Sequence, residues 1–282
     1  MSITRSVRVM GILNVTPDSF SDGGSFFEEH AALKQARRLI DQGADIIDVG
    51  GESTRPYAEP VSTQDELNRV LPIIKAIRSF SDISISIDTS KAEVAAQSLS
   101  AGADIINDVS ALRKDPDMLE VARQHKGEVI IMHMQGSPGT MQIDPQYQNV
   151  MVEVLTFFKE RLEIFDAAGP NLQRIIIDPG IGFGKKLDHN LELLNNLERL
   201  SELGQPVLLG HSRKRFLGDL TSIETDKRDA ISAVVSALCL DKNVSIFRVH
   251  DVTATKQALQ VAEAIHQAAV LKDINKTNGA SA

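Results

Sequence analysis

Short apolar runs recur along the 282-residue chain, and each ends in, or leads at once into, residues that can hydrogen-bond or carry charge. Asn14 closes the first run. Asp48 ends the second and leads into Glu52, Ser53, Thr54 and Arg55. Asp88 closes the third, Asn107 and Asp108 the fourth, His133 the fifth and Asp178 the sixth. The seventh runs into Ser212, Arg213 and Lys214, and the eighth carries Arg248, His250 and Asp251. One Asp or Asn at the end of a strand is ordinary punctuation. Eight polar ends together are not, because a buried neutral polar group without a partner costs roughly 2–7 kcal/mol. The set reads as a site.

The residue types narrow its chemistry. Ser212, Arg213 and Lys214 put a hydroxyl, a guanidinium and an ammonium on one loop, which are complementary donors for an oxyanion. The stretch GESTRP at 51–56 adds Arg55 on a loop stiffened by Pro56. With Lys214 and Arg248, these predict a cationic mouth in a protein of net charge −8. That combination points to an anionic small molecule with a condensed phosphate, and away from a general nucleic-acid binder, which would be basic overall. The stretch DPGIGFGK at 178–185 is glycine-rich but matches neither GxGxxG nor GxxxxGK[ST]. Its glycines suit close approach of backbone to a flat ligand, with Phe183 as a stacking face.

His133, His211 and His250 lie on separate runs, with no HxH or HExxH pair to suggest zinc. A hard cation held by Asn14 and substrate oxygens is the better expectation, and Mg²⁺ has that habit. No GxSxG is present, and the single cysteine, Cys239, sits in the apolar run AVVSALCL, so no covalent nucleophile is expected. One cysteine also excludes an intrachain disulfide and fits a reducing compartment. The first residues, MSITRSVRV, contain no apolar signal region. No stretch approaches the ~20 apolar residues of a membrane span. A cytoplasmic protein with no membrane partner is the expectation.

Bringing eight polar ends together takes eight strands that stop side by side. The runs 8–15, 44–50, 83–88, 103–109, 128–133, 174–180, 206–210 and 245–251 read as short strands. They are apolar on both faces, as parallel strands buried on both sides must be. The stretches 31–42, 64–80, 91–101, 116–125, 148–168, 188–203, 224–241 and 252–271 read as helices. In 64–80, Leu67, Val70, Leu71, Ile74 and Ile77 recur at helical spacing. Eight such units over about 270 residues predict an α/β protein with a single (β/α)8 TIM barrel over 1–271. An open doubly wound sheet is the alternative. The polar tail 272–282 is expected to fray. In a barrel the C-terminal strand ends converge on one face, where active sites sit.

Taken in order, GILNVTPDSFSDGG, DVGGESTRP, SIDTSK, INDV, MHMQGSPGTMQ, DPGIGFGK, GHSRKRF and RVHDV resemble the motifs of the bacterial dihydropteroate synthases, from Met10 to about Ala269. That resemblance implies an enzyme that joins p-aminobenzoate to 6-hydroxymethyl-7,8-dihydropterin diphosphate with release of pyrophosphate. It also implies Mg²⁺ dependence, an SN1-like route, a homodimer and sulfonamides as competitors. Carried over residue by residue, it gives Asn14 as the metal ligand, and Asp88, Asn107, Asp178 and Lys214 as the pterin pocket, walled by Met132 and Phe183. It gives Thr54, Arg248 and His250, with Asn14, to the diphosphate. Phe20, Thr54, Arg55, Pro56 and Ser212 fall at the p-aminobenzoate end. Asn14, Asp88, Lys214, Arg248 and His250 are the residues it implies for catalysis. Tyr57 departs from the family's Gly after Arg-Pro. A pterin-binding methyltransferase-type barrel and a catalytically silent pterin binder are the rival readings, and the cationic loops speak against the first.

Overall fold

The computed structural model describes residues 7–16, 24–53, 59–169 and 174–279. Eight parallel strands close into a barrel in simple sequence order. They are β1 (Arg8–Asn14), β2 (Ile46–Gly50), β3 (Ser84–Asp88), β4 (Ile105–Asp108), β5 (Glu128–Met132), β6 (Ile175–Asp178), β7 (Val207–Leu209) and β8 (Val244–Val249). The first seven sit inside runs expected to be strands, and β8 begins one residue before its expected run, 245–251. The barrel closes through β1 and β8, with Met10 opposite Arg248. The open sheet is therefore excluded.

Alternation along the strands sorts the side chains into two cores. One set, including Ile47, Val49, Ile85, Ile87, Ile131 and Ile177, packs outward against the helices. The other set, Met10, Ile46, Ile105, Ile130, Ile176, Leu208 and Ile246, meets inside the barrel as one buried apolar layer. Below that layer, Arg8 makes a two-pronged ion pair with Glu128, at 2.7 and 2.8 Å. Above it the interior turns polar. A cavity of about 450 Å³ opens at the lower end, lined by Ser84, Asp104, Glu128 and Arg174 among others. It lies on the far side of the apolar layer from the polar strand ends.

Helices α1 (Gly24–Asp41), α2 (Thr63–Arg78), α3 (Ala92–Ser100), α4 (Met118–Gln124), α5 (Val150–Ala168), α6 (Leu187–Asn195), α7 (Arg215–Thr221), α8 (Asp229–Leu238) and α9 (Val252–Gly279) surround the barrel. Local signals set several ends. The Ser62 hydroxyl accepts from the Asp65 amide at 3.1 Å and caps α2. The Asn149 side-chain Oδ1 accepts from the Val152 amide at 2.9 Å and caps α5. Two expectations shift. Between β7 and β8 the structure has α7, a 3₁₀ turn at Thr225–Lys227 and then α8, where sequence periodicity suggested one helix over 224–241. Ser222 ends α7 in a left-handed conformation, and seven residues are too few to show a period. At the other end, α9 continues to Gly279, past the start of the expected tail. No Gly or Pro interrupts it before that point. Residues 280–282 lie outside the described ones. No described helix is long and apolar enough to cross a membrane.

Candidate active site

The strand register places the upper polar residues side by side. Asn14 lies opposite Gly50, Gly50 opposite Asp88, and Asp88 opposite Asn107. On the other side of the mouth Met132 lies opposite Asp178. Two clusters result.

The first is built around Arg248. Its Nε donates to Asp48 at 2.6 Å and its Nη2 to Asp88 at 2.7 Å. Asn107 donates to both Asp48 oxygens at 3.3 Å. Asp48 and Asp88 are buried, and Asp88 Oδ1 has no partner among the described residues. Burial raises the Asp88 carboxyl to about 7. Arg248 pulls it down and Asp48 pushes it up, because one guanidinium is shared by two carboxylates. Burial works against the Arg248 cation too, but Asp48 and Asp88 outweigh it and hold it charged.

The second cluster is Asp178, Lys214 and Phe183. Burial raises the Asp178 carboxyl, with Lys214 opposing. Its Oδ1 accepts from the Gly180 amide at 2.7 Å. Burial lowers the Lys214 ammonium to about 7, although Asp178 favours the charge. Lys214 donates to the Ile181 carbonyl and lies 4.3 Å from the centre of the Phe183 ring, a cation–π contact. Phe183 packs against Met132, Met134, Met141 and Val109. A Cβ placed on Gly210 would sit 3.4 Å from Asp178 Oδ2 and 3.9 Å from Lys214 Nζ. The missing side chain there leaves a gap between a carboxylate and an ammonium.

The loop 180–184 that carries Phe183 is held at every carbonyl. Lys185 Nζ donates to Gly180 at 2.9 Å and Phe183 at 3.0 Å, and Lys214 donates to Ile181. Gln142 donates to Gly182 at 2.7 Å and the Tyr147 hydroxyl to Gly184 at 2.8 Å. Gly180 and Gly182 have φ of 68° and 80°, the left-handed region that only glycine adopts freely. A Cβ on Gly180 would fall 1.9 Å from the His133 carbonyl oxygen.

The remaining expectations divide. Ser212 is buried and its hydroxyl lies 3.0 Å from His250 Nδ1. Arg213 turns aside to pair with Asp229 at 2.6 and 2.7 Å. Ser212, Arg213 and Lys214 therefore do not converge as one oxyanion cradle: consecutive residues in a turn point three ways. The expected cationic mouth is also more nearly balanced, since Asp48 and Asp88 both meet Arg248. His250 lies just past the end of β8. Asp108 and Asp251 are local caps, Asp108 accepting from the Ser110 and Leu112 amides and Asp251 from Ala254. Phe20, Thr54, Arg55, Pro56 and Tyr57 lie outside the described residues.

Sequence reasoning did not single out Asp48 as Arg248's partner, nor the Lys185–His133 contact at 3.0 Å. It also passed over Lys91, which pairs with Glu52 at 2.5 Å and with the buried Glu66. The Asp48 signal was available, because it sits on the inward side of β2 two residues above Ile46.

For a metal, the described residues hold no group of three or more His, Cys, Asp or Glu fit to bind one. Asn14 Oδ1 would lie 3.7 Å, and Asp88 Oδ2 3.8 Å, from a Cβ added at Gly50. Two oxygens beside a small gap suit a hard cation that takes its other ligands from substrate and water.

Comparison with known proteins agrees with this chemistry. The model of the family described as pterin binding enzyme matches residues 10–250. The chain belongs to this pterin-binding enzyme family. It is 46% identical over 257 residues to dihydropteroate synthase of Haemophilus influenzae, covering 91% of this chain and 93% of that protein. The Yersinia pestis dihydropteroate synthase, solved in a sulfonamide drug complex, superposes with a TM-score of 0.88 at 42% identity. That match covers 95% of this chain and 96% of the other. The Xanthomonas albilineans enzyme, solved with 4-aminobenzoic acid, gives 0.87 at 45% identity over 93% and 94%. Among pterin-binding enzymes, a barrel whose upper layer holds paired carboxylates, an amide and a lysine over an aromatic ring has the groups to grip a flat, nitrogen-rich heterocycle.

Proposed function

We propose that the chain is a dihydropteroate synthase that condenses 6-hydroxymethyl-7,8-dihydropterin diphosphate with p-aminobenzoate, releasing pyrophosphate, in folate biosynthesis. The observation that carries the reading is the gap at Gly210, bordered by Asp178, Lys214 and Leu208, with the Phe183 ring against Lys214. Asp178 can take two N–H groups from the pterin's amino and amide edge, Asn107 can supply an amide to the same edge, and Met132 and Phe183 cover the ring faces. Asp88, next to Arg248, completes the pocket.

The reaction needs negative charge neutralised on the leaving diphosphate and a cation tolerated on the departing carbon. Arg248, held charged by Asp48 and Asp88, with His250 and Thr54, serves the first need. The electron-rich dihydropterin serves the second, and the route is SN1-like. The arylamine nucleophile is neutral at pH 7, so no general base is required. Mg²⁺, when bound, supplies further neutralisation of the diphosphate, and Asn14 would hold it. Phe20, Arg55, Pro56 and Ser212 form the p-aminobenzoate end, where sulfonamides compete. The enzyme acts as a homodimer in the cytoplasm. The single Cys239 suits that compartment, and exposed Val234, Leu238, Val261 and Ile265 on α8 and α9 suit a self-association face.

The test is pyrophosphate release with and without p-aminobenzoate. Release that depends on both substrates is expected. EDTA should abolish it and added Mg²⁺ restore it, and Asn14→Ala should lose about 10²-fold or more in rate. Pterin binding without p-aminobenzoate-dependent release would mean a silent binder, and full activity in metal-free buffer would remove Asn14 from its role.

A further inference from the structure

The mechanism leaves one buried cation without a task. Lys185 is 3% exposed and touches no carboxylate among the described residues. An ammonium has three donors. Its closest acceptors are Gly180 O at 2.9 Å, Phe183 O at 3.0 Å and His133 Nδ1 at 3.0 Å, with the His133 carbonyl further off at 3.4 Å. Burial pushes the Lys185 ammonium well below its ordinary value; in its charged form it donates to His133 Nδ1, which then carries its proton on Nε2. The His133 ring is held in turn by an edge contact with Phe157, at 5.0 Å between centroids. A buried charge is expensive, and a plain hydrophobic side chain would fill the same space at lower cost.

What the cation holds is informative. Gly180 presents its carbonyl to Lys185 and its amide to Asp178 Oδ1. Fixing one side of that residue fixes the direction of the carboxylate. Phe183 presents its carbonyl to Lys185 and its ring to Lys214. Ile181, between the two, receives Lys214 itself. Three groups that form the pterin pocket therefore hang on a loop clamped at both ends by one ammonium. We propose that Lys185 is a positioning residue for pterin recognition, with its ammonium on Gly180 O, Phe183 O and His133 Nδ1 setting the loop that aims Asp178, Phe183 and Lys214. The inference rests on the pterin reading of that pocket.

The experiment compares wild type, Lys185→Met, Asp178→Asn and the double variant. Equilibrium binding of 6-hydroxymethylpterin, which lacks the diphosphate, is measured beside KM for p-aminobenzoate at saturating pterin diphosphate. Lys185→Met should weaken the pterin at least tenfold while KM for p-aminobenzoate moves less than twofold. In the Asp178→Asn background the same change should cost no more than about threefold further, since the carboxylate it aims is gone. Pterin affinity within twofold of wild type, an equal loss at the p-aminobenzoate end, or losses that multiply in the double variant would each overturn the proposal. Asp178→Asn with unchanged affinity would overturn the role of Asp178, while Lys185 would still stand or fall on its own variant. If Lys185→Met does not fold, His133→Leu removes the imidazole acceptor and leaves the three carbonyls. A threefold or greater loss of pterin affinity then supports the proposal, and an unchanged affinity refutes it.

Discussion

Arg248 shows why a residue's neighbours decide what it can do. Its charge is shared between Asp48 and Asp88, so it is a substituent of a network rather than an open anion site. Arg248→Ala leaves two buried carboxylates facing each other, and losing one partner of a buried pair costs about 3–5 kcal/mol. Urea unfolding should show that loss, together with a collapse of turnover. Arg248→Lys keeps the charge but not the planar fork. It should lose rate more than affinity for a pterin lacking the diphosphate, because leaving-group charge grows in the transition state. Equal losses in both measurements would assign Arg248 to the ring instead. Lys214 offers a pH test. Its folded pKa of about 7 lies below the unfolded value of about 10.4. The unfolded chain thus binds more protons between those values, and stability should rise with pH there. The Asp88 carboxyl, raised to about 7 from an unfolded value of about 3.9, lowers stability as pH climbs through that earlier window. Activity should run against the stability trend above neutrality: kcat/KM for the pterin diphosphate should fall as Lys214 loses its proton. Lys214→Arg should abolish that decline, and a decline that persists would point to another group.

Elements explain which parts of the site could be read from sequence. Strand ends were legible because eight of them together finish in, or lead into, polar residues such as Asn14, Asp88, Asn107 and Asp178, and the barrel brings such ends to one face. Pairings were not legible. Asp48 and Arg248 are 200 residues apart, and only the closed β1–β8 seam and the shared polar layer make them neighbours. Loops were the least legible. The run 212–214 looks like a single anion-binding patch until the turn sends Ser212 to His250, Arg213 to Asp229 and Lys214 to Ile181. Helix α7 falls outside the expected helix 224–241, since a seven-residue helix leaves no period to count. The end of β7 carries its own prediction. Gly210→Ala adds a methyl at ordinary contact distance, 3.4 Å from Asp178 Oδ2, so stability should hold. The methyl occupies the space between Asp178 and Lys214, so pterin affinity should drop about tenfold or more by calorimetry. Unchanged affinity would mean that the ligand does not enter that gap.

At the scale of the whole molecule, the two C-terminal helices leave Val234 and Leu238 of α8 and Val261 and Ile265 of α9 exposed, each pair four residues apart. A strip of this kind marks an association face when it is contiguous. Leu238→Glu paired with Ile265→Glu should convert a dimer to a monomer in sedimentation analysis while the barrel stays folded. A wild-type protein that sediments as a monomer would dismiss the face. The apolar layer of Met10, Ile46, Ile105, Ile130, Ile176, Leu208 and Ile246, with the Arg8–Glu128 pair beneath it, has a different consequence. It closes the polar upper layer from below. Whatever rests deepest has to enter before the molecule that lies over it, and has to leave after it. A floor of this kind predicts a kinetic order for two substrates without any signal passing between them, the heterocycle first and the aniline second, which product-inhibition kinetics would check.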